Sequence, residues 1–100
     1  MIIVTGTVGV DPPDLDTFAA DLQALAEVSR QRTGNLAYAV GRDSADPGRL
    51  LVVERWQDQR SLTAHLDAPD TRAFVTRWQS RMRGDIRKYD ADNERGVMED

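Results

Sequence analysis

The chain has one histidine, His65, and no cysteine, so proton transfer at neutral pH has a single imidazole to work with. His65 lies three residues after Leu62 and one before Leu66. On a helix these three form one apolar stripe, which turns the ring inward. An inward, neutral imidazole accepts a proton near pH 7, as general-base chemistry requires. The same placement also suits a core histidine bonded to a carboxylate or a carbonyl, with Glu54 on the preceding strand as the candidate partner. The two readings merge if Glu54 orients a ring that faces a pocket. A buried Glu54 must find a donor in any case, because a lone buried carboxylate is costly. Trp56, Phe74 and Trp78 are either core or core plus the wall of an aromatic pocket. Tyr38 carries a hydroxyl that needs a partner when buried, and Thr5 and Thr7 add two more hydroxyls on the first strand.

One base, a few hydroxyls and aromatic walls suit deprotonation of a bound aromatic molecule, an inventory that many small binding pockets share. Such a site removes a proton, holds the anion and keeps water from the reactive intermediate. A non-catalytic module that binds a hydrophobic small molecule or tunes a pathway enzyme has the same inventory, and an isomerase or lyase use remains open because fold does not fix function. Other classes are excluded by residue type. Without cysteine there are no disulfides, zinc ribbons or thiol nucleophiles. One histidine cannot build a multi-histidine metal site within a chain. Thirteen basic and seventeen acidic residues give a net charge of -4, which argues against nucleic acid. The arginines between Arg72 and Lys88 are interspersed with acids and read as a solvated helix face. No apolar run approaches the ~20 residues of a membrane span. The N-terminus lacks the basic region and cleavage site of a signal peptide, so a cytoplasmic location is expected.

The elements that must position these residues fit one domain, as 100 residues allow. Residues 1–9 alternate as a strand, with Ile2, Val4 and Val8 on one parity and Ile3, Thr5 and Thr7 on the other. Gly6 and Gly9 mark a bulge or a close approach. Asp11 is placed to cap a helix after Pro12 and Pro13. That helix carries Leu15, Phe18, Leu22, Leu25 and Ser29 as a buried stripe, with Gly34 as its C-cap. Residues 35–42 form a strand with Leu36, Tyr38 and Val40 on one side. Residues 49–57 form the strongest strand, with Leu50, Val52, Glu54 and Trp56 on one face and Leu51, Val53 and Arg55 on the other. Asp58 caps a short helix holding His65, and Pro69 breaks it. Asp70 caps the next helix, whose stripe is Phe74, Val75, Trp78 and Met82, ended by Gly84. A last strand spans 85–90 with Ile86 inward. Residues 1–90 are thus the expected domain and 91–100 a polar tail. The predicted class is α+β, a ferredoxin-like βαββαβ plan with an antiparallel sheet and helices on one face. The other face, with Ile3, Leu51 and Val53, is left bare, which calls for a homodimer packed sheet against sheet; Arg55 is its polar candidate.

The stretch Val53-Glu54-Arg55-Trp56-Gln57-Asp58-Gln59-Arg60-Ser61-Leu62-Thr63-Ala64-His65-Leu66, followed by Ala68-Pro69-Asp70-Thr71-Arg72-Ala73-Phe74, resembles the antibiotic biosynthesis monooxygenase domain family. There, a strand ending in E-x-W leads into a helix with S-L-x-x-H, a short break and an aromatic-bearing helix. The first strand and Pro13-Asp14-Leu15-Asp16-Thr17-Phe18 match the family's opening. The resemblance implies a dimeric α/β barrel with small-molecule pockets between helices and sheet. It implies oxygenation of phenolic polyketides, anthrones or quinols without metal or flavin in some members, and haem degradation in others. The haem-degrading pattern has an asparagine on the first strand and a late helical histidine. Here Gly6 stands near the first position and His65 comes early, so no cofactor is expected.

Overall fold

A computed structural model describes all residues, Met1–Asp100. The order is β1 (Ile2–Val10), a 3-10 turn (Pro12–Asp14), α1 (Leu15–Ser29), β2 (Asn35–Arg42), β3 (Arg49–Trp56), α2 (Gln59–Asp67), α3 (Pro69–Trp78) and β4 (Met82–Asp90). The four strands form one antiparallel sheet in the order β2-β3-β1-β4. This is the expected ferredoxin-like plan, with the second helix broken in two. The break has a local cause. Proline at the first position of α3 forces Ala68 into an extended conformation.

Alternation decides which face each strand residue takes. Ile2, Val4, Val8 and Val10 of β1 and Leu50, Val52, Glu54 and Trp56 of β3 are buried under the helices. Two apolar clusters fill that interface. One holds Val8, Val10, Phe18, Leu22, Leu50, Val52 and Trp78 among others. The second holds Ile2, Val4, Ala26, Tyr38, Trp56 and Leu62. On the opposite face Leu51 and Val53 are each 43% exposed.

Two glycines are there for steric reasons. Gly6 has φ +155°, and a Cβ on it would overlap the backbone of Asp85 and Ile86 on β4. Gly34 has φ +83°, and a Cβ there would overlap the side chain of Ser61. Gly34 is not the C-cap of α1, which ends at Ser29 with Arg30 as its cap. It turns the chain into β2 beneath the start of α2.

Other boundaries also differ from expectation. α3 stops at Trp78, and β4 already begins at Met82. Met82 keeps its apolar role from a strand, paired with Val10, and Gly84 pairs with Val8 inside the same strand. Asp11 makes no capping hydrogen bond and instead pairs with Arg83. Asp70 lies within the first turn of α3, whose N-cap is Ala68. Leu36 does not share a face with Tyr38. The register of β2 on β3 shifts between Asn35 and Ala37; this bulge leaves Leu36 52% exposed. Asp58 is the N-cap of α2 as expected, accepting from the Ser61 amide at 2.8 Å. Beyond Asp90 no helix or strand forms; Ala91 is tied to Met1 by backbone hydrogen bonds in both directions.

Candidate functional site

Between the two apolar clusters lies a cavity of about 300 Å³, at the lower end of the ~300–1,000 Å³ range of small-molecule sites. Its floor is the helical face of the sheet, with Val4, Val8, Tyr38, Val52 and Glu54. Its roof is Phe18, Leu22 and Leu25 of α1, Leu62, His65 and Leu66 of α2, and Thr71, Phe74 and Val75 of α3. Met82, Ile86, Arg87 and Lys88 of β4 close its open edge. Most of the wall is apolar, so the few polar groups set what the cavity recognises.

His65 is 2% exposed, as its place in the α2 stripe predicts. Its ring stacks on Trp56 with centroids 4.8 Å apart and meets Tyr38 edge-on at 5.6 Å. The expected hydrogen bond to Glu54 does not form. Nδ1 lies instead 3.4 Å from Ser29 Oγ and 3.5 Å from Thr71 Oγ1. Ser29 Oγ already donates to the Leu25 carbonyl at 2.6 Å, so towards His65 it can only accept. Thr71 Oγ1 has no other partner and can donate to Nδ1 or accept from it, while Nε2 makes no hydrogen bond within the chain. Burial, with the Arg32 guanidinium adding to it, lowers the His65 pKa from 6.5 to about 4 against the opposing pull of Asp70. The imidazole is therefore neutral at pH 7. Arg32 is itself paired with Asp70.

Glu54 is 6% exposed. It accepts from Trp56 Nε1 at 2.9 Å, and the nearby Tyr38 hydroxyl also favours its charged form. Burial raises its pKa above the usual carboxylate value, and the two donors only partly offset that cost. Burial, and then the negative charge of Glu54, push the Tyr38 hydroxyl well above its ordinary pKa. Tyr38 is thus a hydrogen-bond donor at neutral pH and not a base.

The remaining candidates divide. Phe74 lines the cavity. Trp56 and Trp78 are fully buried and are not among its lining residues. Trp56 supports His65 and Glu54 from behind. Trp78 packs edge-on against Phe18 at 5.0 Å and donates Nε1 to Asp21 at 2.8 Å. Thr5 and Thr7 are not brought to the site. Their parity places them on the other sheet face, opposite Val53 and Leu51. Ser29, Thr71 and Lys88 were missed. The signal for Ser29 was present, since a serine inside an apolar helical stripe implies a buried polar partner.

Residues 1–77 match the antibiotic biosynthesis monooxygenase family. No protein of curated function matches the chain. Among solved structures, a candidate antibiotic biosynthesis monooxygenase from Deinococcus radiodurans superposes with a TM-score of 0.91 at 25% identity, covering 99% of this chain and 100% of that one. A further antibiotic biosynthesis monooxygenase superposes at 0.83 with 26% identity over 93% of this chain and all of that one. A Mycobacterium tuberculosis protein, at 16% identity and a TM-score of 0.81, covers 96% of this chain and 100% of its own and shares the fold.

Proposed function

The chain belongs to the antibiotic biosynthesis monooxygenase family, and on that premise we propose that it oxidises an electron-rich aromatic, such as a phenolic polyketide, anthrone or quinol, with dioxygen and without a cofactor of its own. The observation that carries this reading is the His65 imidazole, neutral at pH 7, in the wall of an apolar cavity with its Nε2 left without a partner in the chain. His65 takes the substrate's acidic proton. The Glu54 carboxylate, held by Trp56, is the second acceptor within the cavity wall. Phe74 and the aliphatic wall keep water away from the carbanion or phenolate. That anion is the reductant. In an anthrone, a CH₂ group becomes a carbonyl; one oxygen atom of O₂ enters the product and the other leaves as water, with all four electrons supplied by the substrate.

The bare sheet face supports a homodimer. Leu51, Val53 and Tyr89 are exposed there, and an open apolar sheet face is unusual on a soluble monomer. Sedimentation at micromolar concentration should give a dimer; a monomer removes this part of the reading.

The low pKa of His65 favours a second reading, a binding module without turnover, because an imidazole near 4 is a weak base. Oxygen uptake with a panel of anthrones and hydroquinones separates the two. Turnover that falls about 10²–10⁴-fold in His65→Ala supports the oxygenase. Equal rates in the two proteins remove His65 from the chemistry, and ligand binding with no uptake supports the binding module.

A further inference from the structure

We propose that the cavity selects an aromatic ligand that also carries a carboxylate, with Lys88 at its mouth as the anion anchor. This rests on the reading of the cavity as the site of an aromatic substrate and adds the class of that substrate.

The sheet register places the residues. Tyr38 pairs with Glu54, Glu54 with Val4, and Val4 with Lys88. These four form one rung across β2, β3, β1 and β4, and all four line the cavity. Lys88 therefore stands two strands from Glu54, on the order of 10 Å between Cα positions. At one end of the rung are the proton acceptors, Glu54 and His65 above it. At the other end is a cation on the open edge.

Lys88 is one of the few cations of this chain without an acidic partner. Acidic residues outnumber basic ones seventeen to thirteen, and nine of the thirteen cations pair with a carboxylate. Arg30, Arg60, Lys88 and Arg95 do not. Of these four only Lys88 lines the cavity. Its neighbour at the mouth, Arg87, is already paired with Asp85. Lys88 Nζ instead donates to the neutral amide oxygen of Gln59 on α2 at 2.8 Å. That exposed contact gives the ammonium a neutral partner and leaves it with no carboxylate in pairing distance. A carboxylate arriving there gains a charge-assisted hydrogen bond with no protein acid to displace. The apolar walls between the two ends fit a flat ring system, and a volume near that of ten water molecules keeps it compact.

The test is binding of 6-hydroxy-2-naphthoate, which carries a hydroxyl and a carboxylate at opposite ends of two fused rings, against its neutral methyl ester. The acid should bind roughly tenfold or more tightly than the ester, and that preference should shrink as salt rises. Lys88→Gln should erase the preference and leave ester affinity within about twofold. Gln59→Glu keeps the lysine but supplies a counter-charge, and should erase the preference as well. Equal binding of acid and ester by the native protein overturns the anion anchor while the aromatic cavity stands. So does a preference that survives both substitutions. Failure of both probes to bind overturns the cavity reading together with this one.

Discussion

The two tryptophans use the same device at opposite ends of one interface. Each is fully buried and each donates its indole N–H to a carboxylate, Trp78 to Asp21 at 2.8 Å and Trp56 to Glu54 at 2.9 Å. What surrounds the carboxylate differs. Asp21 keeps 28% of its side chain exposed and pairs with Arg77 at 2.8 Å, while Arg81 lies 4.1 Å above the Trp78 ring. That end is closed, compensated and structural. Glu54 is buried, has no cation paired with it, and its acidity is weakened by that burial. Its indole also stacks on the one imidazole. A buried carboxylate held only by neutral donors is costly, and perturbed groups of this kind concentrate where chemistry is done. The compensated carboxylate and the uncompensated one thus lie at different ends of the helical layer, and the proposed chemistry uses only the second.

The largest effects should come from removing either indole. Trp78→Ala and Trp56→Ala should each cost about 3–5 kcal/mol in chemical denaturation. They should differ in what they do to His65. With one histidine in the chain, its ring resonances report a single titration, expected near pH 4 in the native protein. Trp56→Ala should move that midpoint up towards 6.5 as water reaches the ring, and Trp78→Ala should leave it in place. A shift in both would show that the two ends are not independent.

Smaller effects should come from the two carboxylates. The raised pKa of Glu54 means the folded state holds its proton to higher pH than the unfolded chain does. Folding stability from this group is therefore present below the unfolded pKa and is lost as pH rises through the folded one. Glu54→Gln keeps an acceptor for Trp56 and should stabilise the protein at pH 7–8, with the gain fading as pH approaches 4. His65 has the opposite sign. Its folded pKa lies below its unfolded value, so its contribution is intact above about 6.5 and is lost as pH falls towards 4. Asp21→Asn should cost under about 1 kcal/mol. Thermal melts across this pH range check each sign, and a gain for Asp21→Asn that matched Glu54→Gln would erase the contrast.

Most of the fold was legible because its signals are periodic. Alternation in β1 and β3 and the stripe of α1 name the buried residues almost one by one, and Asp58 and Pro69 punctuate the helices by local chemistry. The end of α3 was not legible. Phe74, Trp78 and Met82 continue at steps of four, so the stripe runs on although the chain has already become a strand; β4, an edge strand of mostly polar residues, offers little competing pattern. The bulge at Leu36 was hidden for a related reason, since one extra residue flips parity without changing composition. At the site, the inward turn of His65 followed from its helix. Its partners did not, because Ser29 and Thr71 come from two other helices and meet only through packing. Lys88 was masked by the arginines around it, and only strand pairing shows that it shares a rung with Glu54.

That rung makes the sheet a ruler. Its graduations are the hydrogen-bonded gaps between strands, which no side-chain substitution stretches. The span between the Glu54 carboxyl and the Lys88 ammonium is therefore adjustable only in whole strand steps, or by trimming side chains at either end. A family of such chains could change ligand length by moving one cation along the ladder while the machinery around the imidazole stays where it is.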